Sequence, residues 1–243
     1  MECVYKRPEA LSAFPGMFCP GCHHAILIKL IAEVIDEMGI RERSVLCSPI
    51  GCGGMTVLSA NFDTVFSLHG RVPSTGAAIK MLNPESVVMC YQGDGDAAAI
   101  GTAETIHVAR RGDPVTVIFV NNGVFGMTGG QVAPTSRLND WTITSKKGNP
   151  YRPIHLPEML ATLEEPDYIA RCAVNKPKNI IQTKKAIRHA FERQMEGKYS
   201  FIEVLSACVT TTGVKAENSP EFIDQIIASD FPLGEFKRDG QKV

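Results

Sequence analysis

The sequence lacks the features that would assign it to a membrane, to a secreted class or to nucleic acid. No apolar run approaches the roughly 20 residues that a helix needs to cross a bilayer, and the N-terminal stretch has no signal-peptide apolar core. The formal net charge is −1, from 25 Lys and Arg against 26 Asp and Glu. It therefore favours neither nucleic acid nor an anionic membrane surface. We predict a cytoplasmic protein, with no nucleic acid partner and no membrane insertion.

The composition is that of an ordinary soluble globular protein. The chain has 243 residues, of which 44% are hydrophobic and 21% are charged, which is enough for one α/β domain with a real core. It also has eight cysteines, many for a cytoplasmic protein. In a reducing compartment such cysteines are metal ligands or buried apolar residues rather than disulfides.

A strand–helix–strand unit organises the chain. Val87 to Tyr91 is a short, β-rich apolar run that predicts a buried strand. A Gly-Asp-Gly-Asp turn, Gly93 to Asp96, leads into a predicted helix from Ala97 to Arg111. Val115 to Val120 predicts the next strand. Such a βαβ unit implies parallel strands joined by a right-handed crossover.

Polar groups follow both strands of this unit. The turn at residues 93–96 places a carboxylate and free backbone N–H groups where a helix begins, which suits a diphosphate. Asn121 and Asn122 follow the second strand, at the same edge of a parallel sheet. A bound diphosphate needs a cation, and Mg²⁺ prefers oxygen ligands. Asp94 and Asn122 can supply two of them.

The remaining pattern predicts an α/β fold with a mainly parallel sheet flanked by helices. We expect one domain spanning 1–243, with an N-terminal arm (1–22), a polar excursion over 132–157 and a C-terminal tail (213–243). The predicted helices cover 23–38, with Gly39 ending the first, then 73–82, 180–195 and 220–228. Further strands are predicted over 44–48, 64–68, 168–174 and 200–205.

Four cysteines form a second constellation. Cys19 and Cys22 are a C-x-x-C pair, while Cys52 lies in a glycine-rich turn and Cys208 follows a strand. A C-x-x-C pair alone fits a redox dithiol, half a zinc site or part of an iron–sulfur cluster. Spacing alone does not separate zinc from a cluster, because both accept tetrahedral thiolates.

The motifs together resemble a known family. Asn122 stands 28 positions after Asp94, and this GDG and Asn-Asn pairing, continued by Gly123 to Gln131, resembles the Mg²⁺–thiamine diphosphate motif of 2-oxoacid:ferredoxin oxidoreductase β subunits. The resemblance implies the diphosphate-binding half of a thiamine diphosphate-binding fold. It assigns Mg²⁺ to the side chains of Asp94 and Asn122 and the carbonyl of Val124.

The resemblance extends to the other site residues. It implies catalytic roles for His69 and Arg71, and cofactor contacts by Gly51, Cys52, Gly53, His69, Gly93, Asp94, Gly95, Asp96, Asn122, Val124, Gly126, Met127 and Thr128. It assigns a [4Fe–4S] cluster to Cys19, Cys22, Cys52 and Cys208, with Cys47 as the alternative to Cys52.

The implied reaction is oxidative decarboxylation of a 2-oxoacid to acyl-CoA and CO₂, with coenzyme A as cosubstrate and electrons passed through the cluster to ferredoxin. We expect 2-oxoglutarate as substrate, then branched-chain 2-oxoacids, then pyruvate. An α subunit would supply the glutamate that activates the aminopyrimidine, and γ or ferredoxin-like δ subunits would complete the complex. The alternatives are a non-redox thiamine diphosphate decarboxylase or synthase with structural or zinc-binding cysteines, and a non-catalytic nucleotide-binding or scaffold protein.

Overall fold

The computed structural model describes residues 5–14 and 16–243. Cys3 and Pro15, which fall in the predicted N-terminal arm, lie outside the described residues. The helices are α1 (His23–Met38), α2 (Thr56–Ser59), α3 (Val72–Leu82), α4 (Asp94–Ala98), α5 (Thr102–Arg111), α6 (Leu156–Leu160), α7 (Pro177–Met195) and α8 (Ser219–Ser229). The strands are β1 (Ser44–Ser48), β2 (Asp63–Phe66), β3 (Val87–Gly93), β4 (Thr116–Asn121), β5 (Val124–Phe125), β6 (Gln131–Val132), β7 (Tyr168–Ala173), β8 (Ser200–Leu205), β9 (Gly234–Arg238) and β10 (Gln241–Lys242).

One mainly parallel sheet carries the fold. Its strand order is β10-β9-β7-β8-β4-β3-β1-β2. The six strands from β7 to β2 are parallel to their neighbours, while β9 and β10 pair antiparallel at one edge. β5 and β6 form a separate antiparallel pair. This architecture confirms the predicted α/β class and places the carboxyl ends of β3 and β4 side by side.

Helices cover both faces of the sheet. On one face α1 and α7 pack their apolar stripes against the strands, through residues such as Ile31, Ile35 and Phe191. On the other face α3, α5 and α6 do the same, through residues such as Val72 and Val108. Strands β1, β4, β7 and β8 are buried along their whole length. Burial on both faces explains why they read as continuous apolar runs rather than alternating ones.

The predicted helix over 97–111 is wrong in its extent. It is divided into α4 and α5, with a turn between them. Gly101 explains the division, because a Cβ there would lie 2.0 Å from the carbonyl oxygen of Asp96 and 2.6 Å from that of Gly70. The backbones approach so closely that the chain turns at this point. Only a residue without a side chain fits it.

The C-terminal tail is more ordered than its charged sequence indicates. Beyond the predicted helix, realised as α8, β9 extends the sheet alongside β7. The Lys237 side chain is buried there and donates hydrogen bonds to the carbonyls of Leu163 and Glu164. The N-terminal arm is also attached: the Ala10 side chain is buried, and its N–H donates to the Asp36 carboxylate. No helix within 5–14 and 16–243 is long and apolar enough to span a membrane.

Candidate active site

A cavity of about 460 Å³ opens at the carboxyl ends of β3 and β4. These strands are paired in parallel, with Gly93 beside Val120. All the residues that the sequence analysis expected to contact the cofactor line this cavity, together with six others. It is lined by His24, Ile50, Gly51, Cys52, Gly53, His69, Gly93, Asp94, Gly95, Asp96, Ala99, Ile100, Val120, Asn122, Val124, Phe125, Gly126, Met127 and Thr128.

Asp94 is a carboxylate buried at the floor of this cavity. Only 4% of the residue is exposed. One carboxylate oxygen accepts a hydrogen bond from the Thr135 hydroxyl, and the other accepts one from the Asn122 N–H at 3.2 Å. Burial raises the pKa of Asp94 to about 7, against the lowering effect of these two hydrogen bonds. A negative charge in this position is therefore poorly compensated by the protein alone.

The loop after β4 is held by its own asparagines. The Asn122 Oδ1 accepts from the Val124 N–H at 3.2 Å, and the Asn121 Oδ1 accepts from the Gly123 N–H at 3.1 Å. Gly123 has φ of +74°, a conformation that suits glycine. The loop therefore turns directly after the strand. It brings Asn122 and Val124 to the cavity beside Asp94, where carboxylate, amide and carbonyl oxygens are available to a hard cation.

His69 enters the cavity from a different segment. Its Nδ1 lies 3.1 Å from the Asp96 carboxylate, which also accepts a hydrogen bond from the Gly70 N–H at 2.6 Å. Asp96 thus fixes both the side chain and the turn that carries it. The neighbouring Arg71 instead pairs with Glu104 at 2.5 Å and does not line the cavity.

Of the four predicted cluster ligands, Cys52 lines the cavity, while Cys19, Cys22 and Cys208 do not. A Cβ built on Gly126 would lie 3.1 Å from the Cys208 sulfur and 3.8 Å from that of Cys52, so these two sulfurs approach the same point. Cys22 donates its N–H to the carbonyl of Cys19 at 2.9 Å. The pKa of Cys22 is raised to about 11, mainly by burial and to a smaller extent by the nearby Cys52, Cys19 and Cys208.

Two threonines donate to these sulfurs. The Thr210 hydroxyl lies 3.2 Å from the Cys19 sulfur, and the Thr211 hydroxyl lies 2.9 Å from that of Cys208. The described residues contain no group of three or more His, Cys, Asp or Glu side chains that could hold a metal ion. Within the described residues, the cysteine sulfurs therefore lie near one another without forming a single-ion site.

Cys47 is placed elsewhere. It is fully buried in β1, directly beside Cys90 of β3 in the strand register. The pKa of the Cys90 thiol lies well above its ordinary value because Cys47 hydrogen-bonds to it and because it is buried. Cys47 is thus packed into the sheet, whereas Cys19, Cys22, Cys52 and Cys208 lie outside its strands.

His24 and Tyr91 lie between the cavity and the turn that carries Cys52. The His24 Nδ1 lies 2.7 Å from the Tyr91 hydroxyl, and His24 also lines the cavity. Burial lowers the pKa of His24 to about 4, so its ring is neutral near pH 7. The Tyr91 ring packs under Gly53, at 3.1 Å from a Cβ built there. The Cys52 turn and the cavity thus share this wall.

Some contacts could not have been found from the sequence. Thr135 reaches Asp94 from the excursion after β6, 41 positions along the chain, and no local pattern marks it. Phe125 lines the cavity from within the stretch Gly123 to Gln131, and Ile50 lines it from the position before Gly51. Their apolar side chains, rather than polar ones, complete its wall.

Comparison with known proteins identifies the family. The model of the thiamine pyrophosphate enzyme C-terminal TPP-binding domain matches residues 50–204. The subunit KorB of 2-oxoglutarate synthase from Archaeoglobus fulgidus is 36% identical over 211 residues, which cover 87% of this chain and 75% of that subunit. The chain belongs to the 2-oxoacid:ferredoxin oxidoreductase family of thiamine pyrophosphate enzymes. Membership of this family confirms the resemblance drawn from the GDG and Asn-Asn motifs.

Other family members show how much of a subunit the chain represents. The subunit VorA of ketoisovalerate oxidoreductase from Methanothermobacter marburgensis is 42% identical over 239 residues, covering 96% of this chain and 50% of that subunit. The chain thus spans about half the length of this relative. The structure of 2-oxoglutarate:ferredoxin oxidoreductase from Magnetococcus marinus, with 2-oxoglutarate, coenzyme A and succinyl-CoA bound, superposes with a TM-score of 0.77 at 27% identity. This match covers 86% of this chain and 69% of that one.

Proposed function

We propose that this chain is the thiamine diphosphate-binding subunit of a 2-oxoacid:ferredoxin oxidoreductase. The reaction converts a 2-oxoacid, coenzyme A and two oxidised ferredoxins into acyl-CoA, CO₂, one proton and two reduced ferredoxins. The observation that carries the proposal is the buried Asp94 carboxylate, which lies beside the Asn122 loop in the cavity. Thiamine diphosphate supplies an electron sink for cleavage of the carbon–carbon bond that joins the carboxylate to the 2-oxo carbon.

The donor set fits a magnesium diphosphate. Burial leaves the Asp94 charge poorly compensated, and a divalent cation at the cavity floor would compensate it. Asp94, Asn122 and the Val124 carbonyl would hold the cation, while Gly93 leaves open space beside them. Asp96 orients His69 toward the cavity through their 3.1 Å contact. We assign His69 to the binding of substrate or diphosphate, and Arg71 to the edge of the site.

The four cysteines fit an iron–sulfur cluster better than zinc. A ferredoxin-linked reaction needs a one-electron carrier, which an iron–sulfur cluster supplies and redox-inactive zinc does not. Cys19, Cys22, Cys52 and Cys208 would hold a [4Fe–4S] cluster, which supplies one-electron transfer. Because burial raises the pKa of Cys22 and Cys52, binding of the cluster must release their protons.

The chain needs a partner for turnover. The cavity is lined by two histidines and two aspartates but by no glutamate among the described residues. This supports an α subunit as the source of the glutamate that activates the aminopyrimidine. The γ and δ subunits and ferredoxin remain further proposed partners, with coenzyme A as cosubstrate. The isolated chain should bind thiamine diphosphate without turning over.

We infer a branched-chain 2-oxoacid as the substrate, ahead of the 2-oxoglutarate expected from the sequence. Among the described residues, neither Lys nor Arg lines the cavity, so the second carboxylate of 2-oxoglutarate would find no cationic partner there. Ile50, Phe125 and Met127 offer apolar surface instead. The ketoisovalerate relative is also more similar to this chain than the 2-oxoglutarate relative, at 42% against 36% identity.

The assay of the complex tests the reaction and the substrate together. Coenzyme A-dependent ferredoxin reduction is measured anaerobically with 3-methyl-2-oxobutanoate, 2-oxoglutarate and pyruvate. We expect kcat/KM to be at least about tenfold higher for the branched-chain acid, because an unpaired carboxylate is strongly disfavoured in an apolar site. Preference for 2-oxoglutarate would overturn the substrate, and no coenzyme A-dependent reduction with any of the three would overturn the function.

Gly93→Ala should weaken the binding of thiamine diphosphate while leaving the fold intact. Gly93 has φ of −106°, which alanine adopts readily, and no atom lies within 4 Å of the added Cβ. The methyl group would project into space that the diphosphate needs. Overpacking of this kind costs about 1–3 kcal/mol, or about 5- to 150-fold in Kd.

Gly234→Ala is the matched control for this substitution. Its added Cβ is equally unobstructed, in β9 at the edge of the sheet. Isothermal titration of the cofactor-depleted complex should give the wild-type Kd for Gly234→Ala and a raised one for Gly93→Ala. Equal Kd values for both variants would remove Gly93 from the diphosphate site.

A further inference from the structure

A buried ion network lies behind the candidate site. Arg171 of β7 donates through Nε to the Glu203 carboxylate of the adjacent strand β8, and through its other nitrogens to Glu158 at 2.7 and 2.6 Å. Arg171 and Glu203 are 1% and 0% exposed. The rings of Phe231 and Phe236 lie 5.1 and 5.0 Å from the Arg171 Cζ. The guanidinium is therefore held on every side.

Stability does not explain this network. Desolvation of a buried ion pair offsets most of its attraction, and apolar residues of similar volume are often as stable in its place. The aromatic rings of Phe231 and Phe236 flank the guanidinium and offer apolar surface to such a replacement. A charged pair in the middle of two core strands therefore indicates a role in positioning a neighbouring polar group, which an apolar pair could not do.

Asn121 connects this network to the candidate site by hydrogen bonds. The second Glu203 oxygen accepts a hydrogen bond from the Asn121 Nδ2 at 2.7 Å. The Asn121 Oδ1 then accepts from the Gly123 N–H at 3.1 Å. The chain of contacts thus runs from Arg171 through Glu203 and Asn121 into the loop that carries Asn122 and Val124.

A carboxylate fixes the direction of the Asn121 amide. Both Glu203 oxygens accept hydrogen bonds, so Glu203 presents only an acceptor and must face the Asn121 NH₂ group. The amide oxygen is then directed at the Gly123 N–H. A glutamine at 203 could present its own NH₂ group, and the Asn121 amide could flip. The flipped amide would set NH₂ against the Gly123 N–H, and the turn would lose its hydrogen bond.

We propose that Glu203 and Arg171 are positioning residues that hold the magnesium loop through Asn121. This inference rests on the proposed function, because the loop matters in this way only if it binds the magnesium diphosphate. None of the three residues is assigned to the cation itself. They set the turn at Gly123, which in turn sets the directions of the Asn122 side chain and the Val124 carbonyl.

Three variants of the complex test the proposal: Glu203→Gln, Asn121→Ala, and the apolar pair Arg171→Met with Glu203→Leu. Each is measured for thermal midpoint without cofactor and for the Kd of thiamine diphosphate at fixed Mg²⁺. We expect the Kd to rise about 10- to 100-fold in all three, the range typical of groups that orient metal ligands. The apolar pair should keep a thermal midpoint near that of the wild type, so its weakened binding cannot come from unfolding.

The control breaks another ion pair, which lies at the amino end of β7, away from the carboxyl strand ends that carry the site. Arg193 and Asp167 are 19% and 6% exposed at their side chains, with Nε and Oδ2 2.7 Å apart. Arg193→Gln should lower the thermal midpoint and leave the Kd unchanged.

Wild-type Kd values in the three network variants would overturn the proposal, as would failure of all three to fold, which would assign the network to stability. Failure of the wild-type complex itself to bind thiamine diphosphate would instead overturn the proposed function.

Discussion

Asp94→Asn is expected to abolish magnesium-dependent binding of thiamine diphosphate while the cofactor-free protein becomes no less stable. The variant removes the one carboxylate at the cavity floor that we assign to the cation, and we expect the Kd to rise at least about 100-fold. The buried oxygens keep their partners, because the amide oxygen can accept from the Asn122 N–H and the Thr135 hydroxyl can turn to accept from the new NH₂ group.

The stability of the cofactor-free protein should depend on pH through the same residue. The pKa of Asp94 is raised from 3.8 to about 7 in the folded protein. The folded state therefore binds more protons than the unfolded state between about pH 4 and 7, and the stability that this residue contributes is lost as pH rises through this range. Asp94→Asn carries no such charge, so its thermal midpoint should exceed that of the wild type by more at pH 8 than at pH 5.

Asp113→Asn provides the control. Asp113 pairs with Arg111 in the turn after α5, outside the cavity, so the substitution should leave the Kd and its magnesium dependence unchanged. Thermal unfolding and cofactor titration of both variants at pH 5 and pH 8 make the comparison. Wild-type affinity in Asp94→Asn would contradict the assignment of the cation site.

Cys22→Ser is expected to remove the iron–sulfur cluster and leave thiamine diphosphate in place. Cys22 does not line the cavity, although it lies near Cys52, which does. We expect this chain to lose about four iron and four sulfide, the complex to lose ferredoxin reduction, and the Kd for thiamine diphosphate to stay near the wild-type value. A serine oxygen is a poor substitute for a soft thiolate ligand.

Cys172→Ala is the matched cysteine control. Cys172 lies in β7 and is largely buried, and burial raises its pKa to about 12, so it remains an uncharged thiol and is not among the predicted ligands. Iron, sulfide and the electron paramagnetic resonance signal of the reduced complex should be unchanged in this variant. Full iron content in Cys22→Ser, or zinc recovered from the wild type, would argue against the cluster.

The sequence was sufficient for the strands and the polar turns of the central unit, though not for the extent of its helix, because the determinants of those strands and turns are local. A buried strand, a glycine turn and a polar residue at a strand end each have their own short pattern, and parallel pairing then requires the two ends to meet. The bounds of α1 and the αL conformation of Gly39, with φ of +64°, followed from the same kind of signal. The thirteen expected cofactor contacts converge on one cavity for that reason.

What the sequence missed depends on contacts between distant segments. The break between α4 and α5 arises because the backbone of Gly101 contacts that of Gly70, 31 positions earlier. The residues on either side of the break have helical propensity, so the local sequence does not show it. Thr135 reaches Asp94 from an aperiodic stretch, and β9 joins the sheet despite a charged sequence. Arg171 and Glu203 are polar residues in apolar strands, and only the strand register shows that they face each other.

The most direct test is to purify the complex anaerobically, separate this chain, and measure its iron, sulfide, zinc and thiamine diphosphate. We predict about four iron and four sulfide per copy, no zinc, and retention of the capacity to bind one thiamine diphosphate with Mg²⁺. Zinc in place of iron, with thiamine diphosphate still bound, would contradict the ferredoxin-linked reaction and leave a non-redox thiamine enzyme. Neither metal nor thiamine diphosphate would contradict the account of the site as a whole.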